Sequence, residues 1–322
     1  MFWLVVVAIL ASAGFLGWIL MIRMPGWTHT GPLPDLSPEE RALTAELERD
    51  VREIAGRIGE RSVRRPRALA EAAAFIKRSF VEAGLRVRRI PVIALGADNV
   101  EAEIGGSDPT DTIVVVGAHY DSVEGCPGAN DNGTGVAAML ALARRFAKSH
   151  RTGTLRFVAF PGEEPPTFDT DAMGSVAYAK GCRANGEAIM AMFSLETLGC
   201  YSEAKGSQRF PLPLLSIVYP DRGDFVTFVG NLSSASLVRR AIGAFREYAR
   251  FPSEGAALPS WVPGVGWSDH ASFWKEGYPA IMVTDTAPFR YPYYHLPTDT
   301  PDRIDYERLA RVVHGLARVL EL

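Results

Sequence analysis

The chain has 322 residues, 47% of them hydrophobic and 22% charged, a balance that excludes disordered, collagen-like and coiled-coil chains. With 34 basic and 37 acidic side chains the net charge is -3, and no long basic run is present to track a phosphate backbone, so nucleic acid is not an expected partner. Cys126, Cys182 and Cys200 can close at most one disulfide and match no thiolate zinc motif, so any metal must be held by other side chains.

Residues 2–22 carry no charge and no proline. At about 1.5 Å per residue they span roughly 31 Å, close to the thickness of a hydrocarbon core, which predicts one transmembrane helix. The competing reading is a cleaved signal, which needs a basic leading segment; here the first basic side chain, Arg23, follows the apolar run. The expected organisation is an anchor over residues 1–23, a Pro/Gly-rich linker over 24–37 and one folded domain over 38–322.

Ser37-Pro38-Glu39-Glu40 supplies an N-cap, a proline at N1 and a glutamate at N3, so a helix begins there. A second helix is predicted over 66–83, ending near Gly84, and strands over 86–93 and 99–104, with Gly105-Gly106 as a turn. Short continuous apolar runs follow at 112–118, 154–160 and 188–195, with a helix over 133–147 between the first two. Residues 206–232 are expected to add strands, 280–284 another, and 305–320 a closing helix. This alternation predicts an α/β fold with a buried, largely parallel sheet covered by helices.

Polar residues gather where the apolar runs end, and in open α/β sheets ligands bind beyond the carboxyl ends of the strands. The first run ends in His119-Tyr120-Asp121, followed by Asn130-Asp131-Asn132 at a helix start. The next ends in Glu163-Glu164, the following one in Glu196, and near the C-terminus stands Tyr294-His295-Leu296-Pro297-Thr298-Asp299. Two imidazoles and several carboxylates suit zinc, and a shared carboxylate can hold two metals roughly 3.5 to 4 Å apart. The glycines from Gly128 to Gly135 fit neither a P-loop nor a dinucleotide fingerprint and are read as a tight turn around Asp131. No G-x-S-x-G elbow is present, so Ser268-Asp269-His270 is read as support for the site, with Asp269 its main contributor.

These segments, with Gly174-Ser175, Tyr178-Ala179 and Ser268-Asp269-His270, resemble the co-catalytic zinc aminopeptidases of clan MH, metallopeptidase family 28, which also include glutaminyl cyclases. The resemblance covers about residues 110–320. It implies a three-layer α/β/α sandwich with a mostly parallel, mixed central sheet, of the zinc-exopeptidase (phosphorylase/hydrolase-like) type, and two zinc ions per chain. By resemblance His119 and Glu196 hold one zinc, Glu164 and His295 the other, and Asp131 bridges both; Glu163 is the general base and Asp121 orients His119. Many relatives carry aspartate at the position of Glu196. Nine residues, 165–173, separate the glutamate pair from Gly174, where many relatives have about four, and this loop is expected to border the site. Val265, Gly266 and Trp267 stand where some relatives have an oxyanion-stabilising tyrosine, which leaves that donor unassigned.

The function expected is that of a membrane-anchored dizinc exopeptidase removing N-terminal residues from peptides, with its catalytic domain outside the cytoplasm. The alternatives are a glutaminyl cyclase with a single zinc and a non-catalytic ectodomain using the peptidase fold for binding.

Overall fold

The structure is a computed structural model that describes residues 17–106 and 112–321. Helix α1 (Pro38–Val51) opens with the capping box legible in the sequence: Ser37 Oγ accepts from the Glu40 amide at 3.1 Å and Glu40 Oε2 accepts from the Ser37 amide at 2.7 Å. One π-helical segment, Arg52–Ile58, continues it, and α2 (Pro66–Glu82) follows. Eight strands then build one sheet: β1 (Arg86–Val92), β2 (Ala97–Ile104), β3 (Ile113–His119), β4 (Thr154–Phe160), β5 (Ile189–Glu196), β6 (Val226–Gly230), β7 (Ser253–Ala257) and β8 (Ala280–Thr284).

The strand order is β1-β2-β4-β3-β5-β8-β6-β7. The central run β4-β3-β5-β8 is parallel, as the unbroken apolar runs predict for strands covered on both faces. β1, β2 and the β8–β6 junction supply the antiparallel pairs that make the sheet mixed. On one face, α3 (Gly135–Phe146), α5 (Ala235–Tyr248) and α7 (Tyr306–Glu321) join α1 and α2 in a core that takes Val116, Ala118, Phe157 and Phe193 from the strands. The opposite face takes Val115, Val158, Phe160 and Met192 against α4 (Gly174–Ala184) and α6 (His270–Lys275). Alternate residues of β3 and β4 thus serve opposite cores, as the two-residue period of a strand requires.

Within 206–232 the expected strands reduce to β6; the rest is loop and a single turn of helix, Leu215–Val218. The edge strand β7, Ser-Glu-Gly-Ala-Ala, has no apolar run or alternation to announce it.

The transmembrane helix expected over residues 2–22 is contradicted. Among the described residues no helix is long and apolar enough to cross a membrane; residues 2–16 of the expected span lie outside the described residues. Residues 17–21 are helical, and Arg239 of α5 donates to the carbonyls of Ile19, Leu20 and Arg23, the last at 2.8 Å. A guanidinium bonded to these carbonyls belongs to the folded domain and would be costly in hydrocarbon. The single-pass localisation and the membrane as a partner rested on that helix and do not stand, and the extracytoplasmic placement, drawn mainly from the family resemblance, falls with the localisation. Residues 24–28 follow the same surface: Met24 is buried, Pro25 and Gly26 accept from Arg246, and Thr28 Oγ1 accepts from the Ser253 amide at 2.8 Å.

Candidate metal centre

The parallel neighbours β4, β3 and β5 end at one edge of the sheet, and each delivers a charged or ionisable side chain there. β3 finishes on His119 and β5 on Glu196. β4 finishes on Phe160, after which Pro161 and Gly162 turn the chain into Glu163 and Glu164. Gly162 has φ +76°, and a Cβ there would lie 2.9 Å from the carbonyl oxygen of Ala172, so the turn requires glycine.

Asp131 lies in the turn Ala129–Thr134 that precedes α3 and points its carboxylate between the two histidines. Its Oδ1 is 3.3 Å from His119 Nε2, and its Oδ2 is 3.1 Å from His295 Nε2. Glu196 Oε2 lies 3.3 Å from His119 Nε2, and Glu164 Oε2 lies 3.3 Å from His295 Nε2. Two groups result, His119–Asp131–Glu196 and Asp131–Glu164–His295, each with donor atoms within 4.8 Å of one another and with Asp131 common to both. Glu163 belongs to neither group; its Oε2 stands 3.7 Å from His119 Nε2.

The loop around Asp131 is held from three sides. Asp299 accepts from the amides of Asn130 and Asp131 at 2.9 and 3.1 Å, one with each carboxylate oxygen. Asn132 donates to the carbonyl of Leu195 and accepts from the amides of Gly135 and Thr197, tying the turn to the end of β5. Arg61, fully buried, donates to the carbonyls of Gly59, Tyr120, Pro127 and Gly128 and so fixes the approach to Asp131. Asp121 accepts from the amides of Glu163 and Glu164 and lies 3.5 Å from His119 Nδ1.

The electrostatics show what this arrangement lacks. Burial pushes the Glu163 carboxyl well above its ordinary value, and the charges of Glu196 and Glu164 add to the rise over the opposing pull of His119. Burial and the Asp131 charge carry Glu164 up to about 7. Burial also opposes ionisation of Asp131, but contacts with both histidines outweigh it and hold the carboxyl below its usual range. Burial lowers and the surrounding carboxylates raise the His119 imidazole, the carboxylates prevailing. Both ring nitrogens of His119, Nε2 of His295 and Oε1 of Glu164 are buried without a hydrogen-bond partner. Orphaned imidazole and carboxylate donors in an acidic, water-poor cluster are the donor set that zinc takes.

Within Ser268-Asp269-His270 the hydrogen bond to the Glu196 carboxylate comes from Ser268, while the charge of Asp269 acts on Glu163. Ser268 Oγ donates to Glu196 Oε2 at 2.6 Å, whereas both carboxylate oxygens of Asp269 lack a partner and His270 Nε2 contacts the Val265 carbonyl. Loop 165–173 closes on itself through turns and ion pairs with Lys180 and Lys275. The apolar pocket beside Glu196 is lined instead by segments from 208–229, 254–267 and 282–294. Asp299 and Arg61 escaped sequence reading: Asp299 sits in the quoted Tyr294–Asp299 segment but contributes through backbone bonds, and nothing local marks Arg61. The cysteines are all free.

Comparison with known proteins agrees with this geometry. Residues 99–320 match the model of peptidase family M28, and the chain belongs to that family of metallopeptidases. It is 35% identical over 311 residues to the uncharacterized protein YfbL of Escherichia coli, with 94% of each chain covered. A probable leucine aminopeptidase of Arthroderma otae is 30% identical over 242 residues, 70% of this chain, which spans 57% of that relative's length. Among solved structures, LapB from Legionella pneumophila superimposes with a TM-score of 0.69 at 21% identity, covering 92% of this chain and 78% of that one. A zinc aminopeptidase from Bacillus subtilis and a glutaminyl cyclase from Porphyromonas gingivalis share the fold with TM-scores of 0.66 and 0.62, each at 17% identity.

Proposed function

We propose that this M28 peptidase is an aminopeptidase working with two zinc ions. The observation that carries the reading is the division of Asp131: one carboxylate oxygen faces His119 and Glu196, the other faces His295 and Glu164. His119 and Glu196 would hold one ion, His295 and Glu164 the other, and Asp131 would bridge them. Zinc so held supplies Lewis acidity, which acidifies a water and polarises a carbonyl oxygen.

Glu163 stands beside this set without being part of it. It accepts the proton of the attacking water and hands it to the leaving amine; a carboxyl whose affinity for protons is raised by burial suits that exchange. Asp121 is a positioning residue, fixing the turn that aims Glu163 and Glu164 in different directions. The relatives named as leucine aminopeptidases support the choice of substrate end. The test is a screen of aminoacyl, N-blocked and N-terminal glutaminyl substrates on protein of measured zinc content. Cleavage of free-amine aminoacyl substrates alone is the expected result; cyclisation of glutaminyl substrates without peptide cleavage would refute it.

A further inference from the structure

A row of polar side chains crosses the sheet from the metal centre to the far edge. Glu196 on β5 pairs with Thr284 on β8, Thr284 with Thr227 on β6, and Thr227 with Glu254 on β7. Residues paired across strands face the same side of a sheet, and all four line one pocket. Three strand spacings of about 4.8 Å separate the Cα atoms of Glu196 and Glu254 by roughly 14 Å. The next row of the same floor, Met282, Val229 and Ala256, is apolar, and so are most of the walls.

Glu254 is therefore the carboxylate at the far end of this polar row, in a pocket whose walls are mostly apolar. Among the described residues no hydrogen bond reaches it. Arg246 lies 3.7 Å away, but its N–H groups go to Ser253 Oγ, the Ser253 carbonyl and the carbonyls of Pro25 and Gly26. Burial pushes the Glu254 carboxyl up to about 7, Arg246 opposing and Asp224 reinforcing the rise. Thr227, beside it in the row, is 7% exposed and its Oγ1 is buried without a partner. At this end of the pocket the Glu254 carboxylate, 21% exposed, thus accepts no hydrogen bond, and the Thr227 hydroxyl is buried without a partner, which is costly.

We propose that Glu254 makes this pocket a recognition site for a lysine or arginine side chain at the substrate N-terminus, with the apolar walls taking the aliphatic stem and Glu254 and Thr227 the cationic tip. The inference rests on the aminopeptidase reading, which puts the cleaved residue at the Glu196 end of the row. A long stem ending in a charged donor runs along the apolar walls and meets the Glu254 carboxylate and the unpartnered Thr227 hydroxyl, whereas a leucine side chain reaches neither.

The test compares wild type, Glu254→Gln and Glu254→Leu as full-length, zinc-loaded protein. Lysyl, arginyl, leucyl and glutamyl p-nitroanilides report turnover, calorimetry with L-lysinamide and L-leucinamide reports binding, and thermal melts verify that both variants are folded. Wild type should favour the lysyl and arginyl substrates over the leucyl one. Each variant should lower the lysyl-to-leucyl ratio of kcat/KM by about 10- to 100-fold, the range of a charge-assisted hydrogen bond, with L-lysinamide affinity falling alongside. A wild-type preference for leucyl, or a ratio and an affinity unmoved in both variants, would overturn the proposal while leaving the aminopeptidase reading intact. If no substrate is cleaved yet L-lysinamide binds in a Glu254-dependent way, the pocket assignment holds and the aminopeptidase reading fails.

Discussion

Asp121 and Glu164 are joined through a side chain and a backbone: Asp121 Oδ2 accepts from the Glu164 amide at 3.0 Å, and Oδ1 accepts from the adjacent Glu163 amide at 3.2 Å. One carboxylate at the end of β3 thereby sets the chain direction at the end of β4. It also lies beside the His119 ring, so the proposed base and a ligand for each proposed zinc share one support.

Asp121→Asn keeps the shape but replaces one acceptor oxygen with a donor that opposes an amide N–H. We expect zinc affinity and kcat to fall together, each by about 10- to 100-fold, the usual cost of losing support behind a ligand. Zinc titration and steady-state kinetics on the same preparation check this; loss of activity at unchanged zinc affinity would place the effect on Glu163 alone.

Glu163 and Glu164 are neighbours of one chemical type with different surroundings. Glu163→Gln should lower kcat by about 10² to 10⁴ with zinc content at the wild-type level, because only the proton acceptor is removed. Glu164→Gln should lower zinc occupancy and regain part of its activity in excess zinc, because an anionic donor becomes neutral. Metal analysis beside kinetics separates the two, and the opposite pattern would exchange their roles.

Arg61 delivers a buried cation to carbonyls rather than to a carboxylate. Arg61→Met would leave those buried acceptors unpartnered, at roughly 1 to 3 kcal/mol each, so denaturant unfolding should show a loss of about 3 kcal/mol or more. The same change frees residues 127–128, and apparent zinc affinity should drop with stability.

His270 gives the fold a dependence on pH. Its ring is fully buried, Nε2 contacts the Val265 carbonyl and Nδ1 has no partner, and burial pushes its pKa down to about 4. The unfolded chain takes up the proton near 6.5 and the folded protein does not. This contribution to stability is complete above about 6.5 and is lost as the pH falls toward 4, at about 1.4 kcal/mol per unit. His270→Gln should flatten the stability profile between those values, and unfolding at a series of pH values measures the difference.

The parallel core and the charged residues at its edge were legible because buried parallel strands are written as unbroken apolar runs, and His119, Glu163, Glu164 and Glu196 stand directly after such runs. What holds them was not. Asp299 meets the Asp131 amide across 168 positions of sequence, and Arg61 meets carbonyls whose residue types carry no signal. Glu254 sits in a strand without apolar alternation, so its place in the pocket follows only from the pairing of β6 with β7. The apolar residues before Arg23 misled for a related reason: composition marks apolar side chains without saying what they lie against, and the described stretch runs beside α5, where Arg239 meets the carbonyls of Leu20 and Arg23 and Met24 is buried while Trp18 and Leu20 stay exposed.

The central claim is that two zinc ions share Asp131, and stepwise reconstitution tests it most directly. Metal-free protein should regain full aminoacyl hydrolysis only on approaching two equivalents of zinc, while His119→Ala and His295→Ala should each bind one equivalent tightly. Full activity at one equivalent, with no further zinc bound, would contradict it.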